Sequence, residues 1–191
     1  MTVQEKYDYL KSLVQSDRRE PFLKLLDYAE KNLGYKEAPC STKYHLSRKG
    51  GLFEHSVSVA MTMVKIKRAL TSSITDEQCI IVALLHDLGK CGIEGKPNYI
   101  MKEPTPKQVQ YGYPGSIVYN EDLLFMEHED RTLYLIHKLH DITGFTLTEE
   151  EWAAIKYHNE PWNGQHTAFR KNMLMTLLQN ADYFSCVYLE D

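Results

Sequence analysis

Ala83-Leu84-Leu85-His86-Asp87-Leu88-Gly89-Lys90 puts an imidazole and a carboxylate side by side at the end of an apolar run, just ahead of a glycine and a lysine. The run before the pair carries helix signals. Thr75 and Gln78 have the spacing of a capping box, in which two side chains satisfy the free amides of a helix start reciprocally. Cys79, Val82 and His86 then recur at i, i+3 and i+7, which sets His86 on an apolar stripe. Asp87 is rotated roughly 100° from it by the helical pitch, and Gly89 supplies a stop signal. Adjacent helical positions do not share a face. Near a helix end, however, both side chains can lean toward a cation between them. The pair is a candidate metal site, so the rest of the chain is read for further ligands.

Upstream, the pattern predicts a helix over 52–70 with Leu52, His55, Val59, Met63 and Ile66 on one stripe, so His55 points inward. Ahead of it, 35–51 is a basic polar loop that contains His45, Arg48 and Lys49 and ends in a glycine pair. Two amphipathic helices are expected before that, over 3–15 and 21–33, with Pro21 in the first turn of the second. Downstream, the Gly- and Pro-rich stretch 90–120 lacks helical periodicity and reads as an irregular insertion or lid, with a short hairpin from 98–102 and 117–119. Helix returns over 121–141 with a break near 127–130, where His128 sits. A second capping box at Thr148 opens a helix whose inward residues are Trp152, Ile155 and His158. A last helix over 171–188 places Met175, Leu178 and Asp182 on one stripe. A carboxylate on a core-facing stripe is costly unless it is paired or metal-bound.

His55, His86 with Asp87, His128, His158 and Asp182 therefore form one set of inward groups from separate segments. Imidazole and carboxylate without thiolate suit Mn, Fe, Co, Zn or Mg. An aspartate can bridge two ions about 3.5–4 Å apart. The other histidines are expected to be solvated (His137, His140, His166), while Trp162 and Tyr99 are candidates for stacking on a base.

Composition narrows the function. The chain of 191 residues suits one domain, 1–191, and no apolar run is long enough to span a bilayer. Four scattered cysteines without metal spacing read as reduced thiols, and with no secretion signal the expected location is cytoplasmic. A net charge of −4 argues against a long nucleic acid as partner. Yet residues 43–107 hold ten Lys and Arg against six Asp and Glu, so the segment with the His-Asp pair is locally basic. That balance suits a small phosphorylated substrate. Lys65, Lys67 and Arg68 read as a solvated helix face.

The pattern His55 … His86-Asp87 … Asp182 resembles the signature of the HD-domain metal-dependent phosphohydrolases. The likeness includes Lys49-Gly50-Gly51-Leu52-Phe53-Glu54-His55-Ser56, Leu84-Leu85-His86-Asp87-Leu88-Gly89-Lys90 and Gln179-Asn180-Ala181-Asp182, and covers about 42–185. His128 and His158 are similar to the extra ligands of two-metal members. The resemblance implies an all-α fold and hydrolysis of a phosphoester or phosphoanhydride, with a nucleotide as the expected substrate. It also implies one or two divalent ions that generate the attacking hydroxide. Asp87 and Lys90 are then the catalytic candidates, and His45, Arg48 and Lys90 the substrate-binding ones. The family also contains di-iron oxygenases acting on small organic substrates, and a non-catalytic nucleotide-binding module is a third reading.

Overall fold

The computed structural model describes residues 1–112, 115–160 and 172–190. In chain order it has α1 (Val3–Leu13), α2 (Arg19–Asn32), α3 (Gly51–Leu70), α4 (Asp76–Leu85) and a 3-10 turn (Leu88–Cys91). The strands β1 (Gly92–Ile93), β2 (Lys96–Pro97) and β3 (Tyr99–Lys102) follow, then α5 (Pro106–Gln110) and β4 (Ser116–Tyr119). The chain continues with α6 (His128–Lys138), α7 (His140–Thr143), α8 (Glu149–Lys156), α9 (Met173–Phe184) and a π turn (Ser185–Leu189). With 59% helix and 7% strand, the protein is all-α in class.

The α3–α4 pair sets the frame. The box at Thr75 is formed, with Thr75 and Gln78 each bonding the other's amide. Lys67 and Arg68 are not idle surface charges: both pair with Asp76, which ties the end of α3 to the start of α4. The two helices run antiparallel, so the start of α3 lies beside the end of α4, and His55 comes next to His86. One cluster of buried apolar side chains runs from Tyr7 on α1 to Ala181 on α9, with all of Cys79 to Leu85 inside it.

Other elements depart from the sequence pattern for local reasons. α2 begins at Arg19 rather than Pro21 and has no side-chain cap. Pro21 is tolerated there because amides of the first turn lack intrahelical partners in any case. Arg18 instead sends a two-pronged bond, 2.7 Å on each arm, to the fully buried Glu151 of α8. Trp152 is 44% exposed, and Glu151, Ala154 and Ile155 take the inward positions of α8. The expected hairpin forms, with β3 antiparallel to β4 and Tyr99 opposite Tyr119. The β1–β2 hairpin and α5 were not expected. Both are too short for periodicity, although Thr105-Pro106 with Gln108 is a legible capping box. Residues 121–127 are not helical. The break expected at 127–130 is the start of α6, where Glu127 is extended. Four cysteines are free thiols. Among the described residues no helix is long and apolar enough to cross a membrane. His166 and Trp162 lie outside the described residues, as does the start expected for the last helix at 171.

Candidate metal centre

α4 stops at Leu85. His86 keeps helical angles, but Asp87 (φ −105°, ψ 10°) leaves the helix and enters the 3-10 turn. That change of backbone, rather than a helical lean, brings both side chains to one point. Three of the carbonyls freed at this helix end find side-chain partners. His86 Nδ1 donates to Ala83 O (2.8 Å), the Tyr35 hydroxyl to Leu84 O (2.7 Å) and the Thr132 hydroxyl to His86 O (3.1 Å). Thr132 also accepts the Gly89 amide at 2.8 Å, which locks α6 against the turn. Gly89 has no left-handed angle and is not a helix stop. A Cβ there would lie 2.1 Å from His128 O, so glycine is needed because α6 passes that close.

Around Asp87 the inward groups converge. His86 Nε2 and His55 Nε2 stand 3.4 and 3.5 Å from Asp87 Oδ2. His128 Nε2 and His158 Nε2 stand 3.1 and 3.7 Å from Asp87 Oδ1. Asp182 Oδ1 is 3.2 Å from His55 Nε2. Each carboxylate oxygen of Asp87 thus faces two imidazoles, and the side chain is 2% exposed. Lys90 Nζ is 2.5 Å from Asp87 Oδ2.

Protons assign the lone pairs. A carbonyl only accepts, so the contacts of His86 Nδ1 with Ala83 O and of His158 Nδ1 with Ile155 O (2.7 Å) put N–H at Nδ1. His55 Nδ1 faces the Glu190 carboxylate at 3.0 Å, with the same result. In the neutral tautomers all three Nε2 lone pairs then point toward Asp87 and Asp182. Burial drives the His86 pKa down to about 3, so its Nε2 carries no proton. Burial also opposes charging of His55, but Cys40, Asp182, Cys186 and Glu190 outweigh it and raise the pKa well above the usual range. For His158, burial is outweighed by Asp87 and Asp182, and the pKa rises. At 3.7 Å from Asp87 this is a field effect and not a hydrogen bond. Burial pushes Asp87 up, while Lys90 first, then His86, His128 and His158 hold it well below the usual carboxylate range. Asp182 is lowered against its own burial by His55 and His86.

The donor set fits a cation. Asp87 Oδ1 is buried and accepts no hydrogen bond, although His128 Nε2 is 3.1 Å away. An orphaned carboxylate oxygen is a costly feature unless something positive takes it. Nitrogen and oxygen lone pairs that face each other at 3.2–3.5 Å repel unless a proton or metal lies between them. His55, His86 and Asp182 form one ligating group, and His86, Asp87 and His158 another.

The HD domain family profile matches residues 52–185. The chain belongs to the HD domain family. Comparisons with curated proteins and with solved structures each returned no match. HD domains are mostly metal-dependent hydrolases that bind divalent ions, in keeping with the chemistry of the ligands gathered here.

The structure brings together His55, His86, Asp87, His128, His158, Asp182 and Lys90. His45 lies one layer out, its Nε2 3.3 Å from the sulfurs of Cys40 and Cys186 and its ring 5.1 Å from that of His55. Arg48 is not brought in. It pairs at 2.7 Å with Glu54, the partly exposed residue of an otherwise buried first turn of α3, which offers that carboxylate at the surface. Three participants escaped sequence reasoning. Glu190 holds His55. Glu129 forms a ligating group with His128 and His158. Asn159 Nδ2 sits 2.7 Å from Glu129 Oε1, 3.0 Å from His128 Nε2 and 3.2 Å from His158 Nε2. Glu129 and Asn159 carried a signal, as the sequence neighbours of His128 and His158, and Glu190 carried none.

Proposed function

We propose that this HD domain is a phosphohydrolase that cleaves a phosphoester or phosphoanhydride bond in a small nucleotide. The observation that supports this most is Asp87, which turns one oxygen to His55 and His86 and the other, unpartnered, to His128 and His158. A carboxylate placed in this way would be able to serve two cations. His55, His86, Asp87 and Asp182 would hold the first ion, and Asp87, His128 and His158 the second, with Glu129 beside them. Bound divalent ions lower the pKa of water and polarise phosphoryl oxygens, which supplies hydrolytic power near neutral pH.

The chain's own groups have defined tasks in this reading. Glu190, Ala83 O and Ile155 O fix three imidazole tautomers, so the ligand nitrogens need no rearrangement. Lys90 keeps Asp87 ionised, and its remaining N–H groups offer positive charge to a phosphoryl oxygen. Two clefts open at the centre: one of about 540 Å³ that includes His128, and one of about 480 Å³ that includes His158 and Asp182. A substrate has room to approach the ligands from either cleft.

The test is turnover with Mn, Fe, Co, Zn or Mg supplied separately, against nucleoside mono-, di- and triphosphates, following phosphate release and oxygen uptake together. Phosphate release without oxygen uptake is expected. Oxygen consumption with iron and no phosphate from any nucleotide would transfer the centre to the oxygenase reading. Nucleotide binding without turnover for every metal would make it a binding module.

A further inference from the structure

The 540 Å³ cleft beside the centre contains a cation for which the site described so far has no use. Its walls include Tyr99, Tyr119, Asn120, Phe125, His128 and Arg131. Arg131 lies one turn after His128 on α6, and positions three apart in a helix are surface neighbours. It is only 4% exposed, yet no carboxylate pairs with it among the described residues. Among the described residues its side chain makes one hydrogen bond, from Nη2 to Leu124 O at 2.7 Å, and its Nε is buried with no partner. Glu121 and Glu127 border the cleft but are exposed and do not pair with Arg131.

A guanidinium that meets only one neutral carbonyl is an expensive way to hold a loop. Taking a charge out of water costs several kcal/mol, and an apolar side chain of similar volume fills such a place as well or better. The arrangement balances if the missing charge arrives with a ligand, and a planar fork of N–H donors is the group that best grips phosphate. We infer that this cleft is an anion subsite in which Arg131 takes a second phosphoryl group of a nucleotide whose first lies at the metal centre. The Tyr99–Tyr119 ring pair, with centroids 5.3 Å apart, forms an aromatic wall on which the base can stack. The position of the reacting phosphate rests on the phosphohydrolase reading; anion capture by Arg131 does not.

The experiment separates the two. Full-length protein is stripped with EDTA, and inorganic pyrophosphate is titrated calorimetrically into wild type, Arg131→Met and Arg131→Lys at low salt. Wild type is expected to bind, Arg131→Met at least about tenfold more weakly, and Arg131→Lys in between, in line with charge-assisted bonds. Without anion, Arg131→Met is expected to melt no lower than wild type, which a purely structural arginine would not allow. If Arg131→Met does not fold, the wild-type Arg131 Nε–H resonance, assigned by its loss in Arg131→Lys, is expected to shift on addition of pyrophosphate. Equal affinity in all three proteins, an unmoved resonance, or no binding by wild type would overturn the subsite. Metal-free binding is read without turnover, so an enzyme that released no phosphate could still pass this test.

Discussion

His86 and His128 both face Asp87, one toward Oδ2 and the other toward Oδ1, but they are held by different means. On the inner side, His55 and His86 come from the packed α3–α4 pair. They are at most 1% exposed, and their Nδ1 atoms are anchored to Glu190 and to Ala83 O. On the outer side, His128 opens α6 with 23% of its side chain exposed, and His158 follows the end of α8. The Asn159 amide nitrogen stands among His128, His158 and Glu129 with two hydrogens for three acceptors. The inner half is therefore preorganised by helix packing, and on the outer side His158 is equally buried with Nδ1 held by Ile155 O, so the difference lies at His128, which depends on how α6 docks and on whether Asn159 yields. Metal titration of the wild type should show two steps, the tighter one at the inner half.

The largest effect is expected at the residue common to both halves. Asp87→Asn keeps the shape of the side chain but removes its charge, and should abolish both metal steps and metal-dependent turnover. Metal analysis of the purified variant checks this, and a retained ion would show that one half stands without Asp87. Next comes His128→Ala, which should remove one ion and leave the inner step in place. An unchanged metal-to-protein ratio in that variant would reduce the centre to a single ion.

Gly89→Ala tests the docking itself. The new Cβ would meet His128 O at 2.1 Å and Thr132 N at 2.8 Å, both backbone atoms that cannot rotate aside. α6 must shift, at a cost of about 1–3 kcal/mol. Denaturant unfolding should show that loss, and calorimetry a weakened outer step with the inner step kept. A variant as stable as wild type, with both steps intact, would mean that α6 is not held by this contact.

The same contrast explains what could be read from the residues alone. His55 and Asp182 stand on apolar stripes of helices long enough for the 3.6-residue period to show, so their inward direction was legible. His86, by contrast, caps a run, Cys79 to Leu85, that is buried all round, so its burial was legible from that run and its direction was not. His128 and His158 sit where a helix starts and just past where one ends, and there the period carries no information about direction. The α3–α4 hairpin was visible through its capping box and stripes, whereas α5 is five residues long and left only its cap. Gly89 was legible as a glycine but not as a contact, because the helix that crowds it arrives some 40 residues later. Glu190 gains its place only from tertiary neighbours, whereas Asn159 adjoins His158 as Glu129 adjoins His128, and its contacts with His128 and Glu129 are tertiary ones that no local pattern marks. Arg48 drew attention as a basic loop residue, and its partner Glu54 was in plain view on the first turn of the following helix.

The smallest expected effect is the most specific to the inner half. Glu190 accepts from His55 Nδ1 with both oxygens within 3.1 Å, and its side chain is 2% exposed. Glu190→Gln still presents a carbonyl oxygen, so the ring keeps its tautomer and direction. What it loses is the negative charge behind the imidazole, which makes Nε2 a better donor to a cation. Partners of this kind contribute about 10- to 100-fold in metal affinity. Because the hydrogen bond survives, the low end, about tenfold, is expected for the inner step. The outer step should not move, since Glu190 touches none of His128, Glu129 or His158. Calorimetric titration resolves the two, with Glu190→Ala as the harsher comparison. Equal weakening of both steps would show that Asp87 transmits the change from one oxygen to the other, and the centre would then be a single coupled unit instead of two halves built to different standards.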